Sequence, residues 1–201
     1  GTADMASGAF RNVIDGWFYA LEQDVLADPS VDPDDAPGLL QRTDALMEAR
    51  LSSISKTAPA FSAVLRTYRQ ALANNDGMLA EGLISWLAGQ PNVAASVKRA
   101  AGIKGDLDHF GASNFLVGLL TILRDSGFAG LVLVLDEVET LQRMRTDTRE
   151  KGLNALRQWI DEIDAGRYPG LYLVVTGTPA FFDGPQGVQR LAPLAQRLHV
   201  D

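Results

Sequence analysis

The 201 residues contain no cysteine and only two histidines, His109 and His199. Disulfides, thiolate chemistry and cysteine zinc sites are thereby excluded, as is a histidine-rich metal centre. No apolar run reaches the roughly 18 residues that a membrane-spanning helix needs, and the start lacks the basic-then-apolar order of a secretory signal. A cytoplasmic protein with no membrane partner is expected. Basic residues are outnumbered, 18 against 25 acids, for a net charge of -7. That balance argues against holding nucleic acid through bulk charge, and leaves nucleic acid open as a partner only through local basic patches. What is present suits a globular fold, with 46% apolar residues and enough length to bury a sizeable core.

The chain is organised around Gly130-Leu131-Val132-Leu133-Val134-Leu135-Asp136-Glu137-Val138-Glu139. Five consecutive aliphatic residues without alternation predict a strand buried on both faces, as in a parallel sheet covered by helices. The acids then stand at its carboxyl end, the edge outside which ligands of open α/β sheets bind. This is the Walker B pattern of P-loop nucleotidases. In that chemistry Asp136 holds Mg²⁺, directly or through water, while Glu137 orients and deprotonates the attacking water. Many strands end in Asp or Glu merely where the chain surfaces, so a second strand matters. Leu171-Tyr172-Leu173-Val174-Val175 is followed by Thr176-Gly177-Thr178-Pro179, which delivers hydroxyls to the same edge. One helix lies between the two strands, and this βαβ order predicts a parallel pair.

Upstream, the pattern is helical. Ser7 is the expected N-cap of a helix carrying Phe10, Val13, Ile14, Trp17, Phe18, Leu21 and Val25 on one face. From Asp24 to Pro37, five aspartates alternate with prolines. A calcium loop fails there, because Pro33 stands where an EF-hand needs Gly and Leu39 where it needs Glu, so a solvated loop is expected. Helices follow over Pro37 to Thr57 (Leu40, Met47, Leu51 and Ile54 inward), Pro59 to Ala73 (Phe61, Val64, Leu65, Tyr68, Leu72) and Gly77 to Ala88. Lys98, Arg99 and Lys104 read as a solvated face before a phosphate or partner contact.

From Ser113 helix and strand alternate. Gly127 caps a helix against which Phe128 packs back. Asp147 with Glu150 makes a capping arrangement for a helix through Leu153, Leu156, Ile160 and Ile163, ended by Gly166 and Pro169. Phe181 to Pro185 reads as a turn and Val188 to Leu198 as a helix. The expectation is α/β: a helical lobe, residues 1–112, and an α/β core, residues 113–201, with a partial parallel P-loop-type sheet.

A working nucleotidase also needs Gly-x-x-x-x-Gly-Lys-Ser/Thr, whose amides cradle phosphates. No such segment occurs in the 201 residues. The chain opens with Gly1 and a small, polar run, so the cradle is expected upstream, and the fragment by itself is expected to be inert. A sheet edge left open would invite pairing with another chain, including a second copy.

The two strand segments, the helix between them, and the continuation Thr176-Gly177-Thr178-Pro179-Ala180-Phe181-Phe182 resemble the bacterial P-loop ATP-binding proteins of the BrxC and BrxD type, associated with BREX phage-defence systems. Phe10-Arg11-Asn12-Val13-Ile14-Asp15-Gly16-Trp17 resembles that family's segment downstream of the phosphate loop. The likeness is strongest over residues 113–201. It implies an ATP-binding, AAA+-like protein using ATP and Mg²⁺, with Asp136 as the metal residue, Glu137 as the base and Thr176 as a polar sensor. Thr178 is a second sensor candidate, and Arg190 and Arg197 are implied as phosphate-sensing or trans-acting arginines. Its partners would be nucleotide and other subunits of a defence complex. Two readings stand beside it: a non-catalytic helical interaction module with a degenerate nucleotide site, and a metal-dependent nuclease drawing on Asp136, Glu137 and Glu139.

Overall fold

Residues 2–105 and 109–198 are described by the structure, a computed structural model in which helices dominate. His199 lies outside the described residues, as does the side chain of His109. Two compact units divide between Ala129 and Gly130.

Among the described residues the regular elements of the first unit are all helices: α1 (Thr2–Leu26), α2 (Ala36–Thr57), α3 (Pro59–Ala73), α4 (Gly77–Leu87), α5 (Ala95–Ala100) and α6 (His109–Asp125). The apolar stripe of α1 is buried through Ile14, Trp17, Phe18, Leu21 and Val25, as its 3.6-residue period dictates. Trp17 is fully enclosed, so its indole N–H needs a partner, and it donates to Asp125 Oδ2 at 2.7 Å. Although helix and strand begin to alternate at Ser113, α6 packs on α1, α2 and α3 and belongs to this unit.

Tyr68 is likewise enclosed, and its hydroxyl donates to Asp15 Oδ1 at 3.0 Å. Burial first, and then the charge of Asp15, push its phenol up from 10.0 to about 12. A raised folded-state value means that this contribution to stability is complete below pH 10.0 and is lost as pH rises through about 12. Tyr68→Phe is expected to lower stability by about 1 kcal/mol, read as a lower urea midpoint at neutral pH, and to remove the late phenolate step from an alkaline absorbance titration.

Several expectations are corrected. Helix α1 starts well before Ser7, which is no N-cap; it is buried, and its hydroxyl accepts from Gln90 Nε2 at 2.7 Å. Leu40 and Leu72 turn outward, 45% and 40% exposed. On α2 the inward positions are Thr43, Met47, Leu51 and Ile54, and the Thr43 hydroxyl meets its need by donating to the Leu39 carbonyl at 2.8 Å. The short α5 gave no periodic signal, being made mostly of small and basic residues. It is fixed by Val97, which sits where a Cβ on Gly82 would stand. In the acidic loop, Asp28 and Asp32 accept from the amides of Ser30 and Asp34 at 2.9 Å, so the carboxylates build turns.

The second unit holds β1 (Leu131–Leu135), a 3₁₀ turn (Val138–Arg143), α7 (Thr146–Asp164), β2 (Leu171–Val175), α8 (Pro179–Asp183), a second 3₁₀ turn (Val188–Arg190) and α9 (Ala192–Ala195). The strands pair parallel, as expected, with Leu131 opposite Leu171 and Leu135 opposite Val175. The Leu131 amide donates to the Gly170 carbonyl at 2.8 Å, and a Cβ on Gly130 would fall on that same oxygen. Leu135 and Val175 pack onto a core of Val138, Leu153, Leu156, Phe181, Val188 and Leu194.

The strand is not buried on both faces. Only one face is covered, and on the other Val132, Val134 and Tyr172 are 62%, 52% and 69% exposed. The capping arrangement at Asp147 does not form either. Arg145 occupies the N-cap without a side-chain bond, and Glu150 instead accepts from Arg190 at 2.8 Å. Phe181 to Asp183 is helix rather than turn, because Pro179 suits a first helical turn. The run from Val188 breaks into two pieces, since Pro193 also favours a fresh start and supplies no N–H. Gly127 does adopt the left-handed cap, φ 88°, with the Phe128 amide on the Leu123 carbonyl at 3.1 Å, yet the Phe128 ring stays 60% exposed.

Candidate functional site

Parallel register brings the carboxyl ends of β1 and β2 to one rim. The ladder continues past both strands: the Thr176 amide donates to the Leu135 carbonyl at 2.9 Å, and the Val138 amide to the Thr176 carbonyl at 3.2 Å. These bonds fix the two exits relative to each other. Across the gap the Thr176 hydroxyl donates to Asp136 Oδ1, which also accepts the Glu137 amide at 2.9 Å. Both donors converge on Oδ1, so Oδ2 is free of them. The hydroxyl first, and then the amide, hold the Asp136 carboxyl below the usual carboxylate range. At neutral pH it is therefore an exposed, charged ligand with one oxygen available.

Glu137 adopts the left-handed region, φ 56° and ψ 39°, where residues with a side chain are uncommon. Its exposed carboxylate has no protein hydrogen bond among the described residues. The turn thus leaves an exposed, unpaired acid immediately after the one that Thr176 secures.

Glu139, which the sequence offered only as a third acid of the nuclease reading, packs against the β2 exit. Its Oε2 is buried without a hydrogen-bond donor. A Cβ on Gly177 would meet Val138 Cγ2 at 2.8 Å and Glu139 Oε2 at 3.1 Å, so a glycine between two threonines lets the 3₁₀ turn close on the β2 exit. That Gly between hydroxyl residues was the available signal.

The other sequence-derived candidates stand apart from this trio. Thr178 is exposed at the N-cap of α8, and its carbonyl, not its hydroxyl, accepts the Phe181 amide at 2.9 Å. Arg190 pairs with Glu150 at 2.8 Å. Arg197 pairs with Asp161 and the Pro193 carbonyl, and Asp161 also takes Arg157 at 2.7 Å. The structure therefore brings Asp136, Glu137 and Thr176 together and engages the two arginines with α7.

Among the described residues no three acids or histidines gather as a metal cage. One charged carboxylate beside a hydroxyl nevertheless fits a hydrated Mg²⁺, which usually keeps several waters and takes few protein ligands.

Fold and rim together define a mostly helical α/β protein with a parallel strand pair presenting two acids and a hydroxyl at one edge. The chain belongs to the family of BREX system ATP-binding proteins BrxC/D, whose model it matches over residues 1–201. Neither a curated protein nor a solved structure matches it. Membership makes it an ATP-binding protein of a phage-defence system. No described helix is long and apolar enough to cross a membrane.

Proposed function

We propose that the Asp136 rim is the metal- and water-handling part of a P-loop, AAA+-like ATPase site, in which turnover drives or regulates a defence assembly in the cytoplasm. The observation that carries this reading is the bond from the Thr176 hydroxyl to Asp136, which ties the two strand exits into one site. The free Oδ2 of Asp136 would hold Mg²⁺, which would supply charge neutralisation on the phosphates. Glu137 takes the proton of the attacking water as its oxygen bonds to the γ-phosphorus and the bond to the β–γ bridging oxygen breaks. Thr176 senses the γ-phosphate or that water, with Thr178 behind it. Arg190 and Arg197 would serve phosphate only after leaving Glu150 and Asp161.

Positioning supplies most of this catalysis, and the 201 residues hold no Gly-x-x-x-x-Gly-Lys-Ser/Thr cradle. Turnover is accordingly expected only where such a cradle reaches the rim. The helical unit, residues 1–129, would act as the helical lobe of this assembly and residues 130–201 as its α/β core, with other defence subunits or a second copy as partners.

The test is ATP turnover against Mg²⁺ concentration in the full-length protein. Asp136→Asn is expected to raise the Mg²⁺ midpoint about tenfold or more. An unchanged midpoint would remove Asp136 from metal binding. The bare face of Val132, Val134 and Tyr172 favours one alternative, a non-catalytic interaction module. ATP binding without turnover in the unmodified full-length protein would select it.

A further inference from the structure

Along the outer side of α1 and the end of α6 runs a cavity of about 650 Å³, walled by Tyr19, Gln23, Asp24, Asp125 and Phe128 over Gly16. The two rings are 65% and 60% exposed, an unusual amount of aromatic surface to leave in water beside one hollow. At Gly16 the floor is open, since a Cβ there would meet nothing within 4 Å.

The charged residues that line the cavity are both acids, Asp24 and Asp125. No lysine or arginine lines it. Asp24 and Asp125 share a single guanidinium, Arg50, at 3.5 and 2.8 Å, which leaves an excess of negative charge. Both helices also end here: Gln23 and Asp24 lie in the last turn of α1, which has no basic residue, and Asp125 ends α6, whose last turn carries Arg124 outside the cavity lining. The negative ends of both helix dipoles add to this, although the last carbonyls of α6 are capped by the amides of Ser126, Gly127 and Phe128. Aromatic faces, carboxylates and helix C-termini all favour a cation, and none of them favours a phosphate.

We propose that this cavity is a docking site for an arginine or lysine side chain of a partner polypeptide. A polypeptide suits it better than a small free cation because the lining runs along α1 from Asn12 to Asp24, a rise of about 18 Å. The side-chain amides of Asn12 and Gln23 carry no hydrogen bond among the described residues and are available to a peptide backbone. The basic head group sits against Tyr19 and Phe128 with Asp24 beside it, while apolar neighbours of that residue cover Val13 and Ala20.

The experiment is fluorescence anisotropy of the full chain with a labelled peptide of alternating leucine and arginine, beside the same peptide with citrulline for arginine. Saturable binding of the arginine peptide is expected, at least about tenfold tighter than the citrulline form and weakened by salt. Gly16→Leu, which fills the floor and favours the helix, and the pair Tyr19→Ser with Phe128→Ser should each weaken it about tenfold. Asp24→Asn serves if the aromatic variant melts early. Equal binding of the citrulline peptide, binding unmoved by all the variants, or no binding overturns the proposal. Competition by free arginine amide at the same concentration as the peptide also overturns it, in favour of a small-cation site.

Discussion

Glu137→Gln is expected to lower ATP hydrolysis by about a hundredfold or more while leaving ATP binding within about twofold. The amide keeps the size and shape of the side chain and cannot take a proton. Nothing else at the rim depends on that carboxylate: Asp136 is held by the Thr176 hydroxyl and by the Glu137 amide, which the substitution retains. Phosphate release by full-length protein measures the first quantity, and equilibrium binding of a fluorescent ATP analogue the second. Unchanged hydrolysis would remove Glu137 as the base and direct attention to Glu139, whose buried Oε2 lacks a donor. Equal loss of binding and hydrolysis would mean that Glu137 holds nucleotide rather than acting on water.

Gly130→Ala is expected to be a strongly damaging single-methyl change in the second unit. The added Cβ would fall on the Gly170 carbonyl oxygen, which is also the acceptor for the Leu131 amide at 2.8 Å. Backbone meets methyl here, so no side chain can swing aside. Either the strands part at their first pair or the Gly170 turn, φ 85°, reorganises. A cost of about 3 kcal/mol is expected, of the size seen when a packed element is forced open. Hydrogen exchange measured by mass spectrometry should show lost protection in peptides spanning 131–135 and 171–175, with α3 peptides unchanged. Full protection in both strands would show that the turn absorbs the methyl.

The parts of this architecture that could be read in advance were those set by a short-range rule. Leu131–Leu135 and Leu171–Val175, joined through a helix, allowed a parallel pair, and parallel register alone places Asp136 beside Thr176. The stripe from Ile14 to Val25 announced its buried face by period. What escaped depended on partners distant in sequence. Nothing near Ser7 shows that Gln90 will claim its hydroxyl and leave it inside a helix. Nothing near Arg190 or Arg197 shows that Glu150 and Asp161 will take them. Alternation of exposure in β1 was hidden because Val and Leu are equally aliphatic, whichever face is covered. Glu139 was legible only as an acid near the strand end, because its contact depends on Gly177, distant in sequence, where an added Cβ would crowd the carboxylate.

The left-handed turn at Glu137 sets stability against chemistry at one position. Glycine adopts such a conformation without penalty, so a chain selected for robustness alone would drift towards it there. Retaining a glutamate keeps the second unit slightly short of its best attainable stability. At residue 137 a gain in melting temperature from Glu137→Gly would therefore come together with loss of the exposed carboxylate.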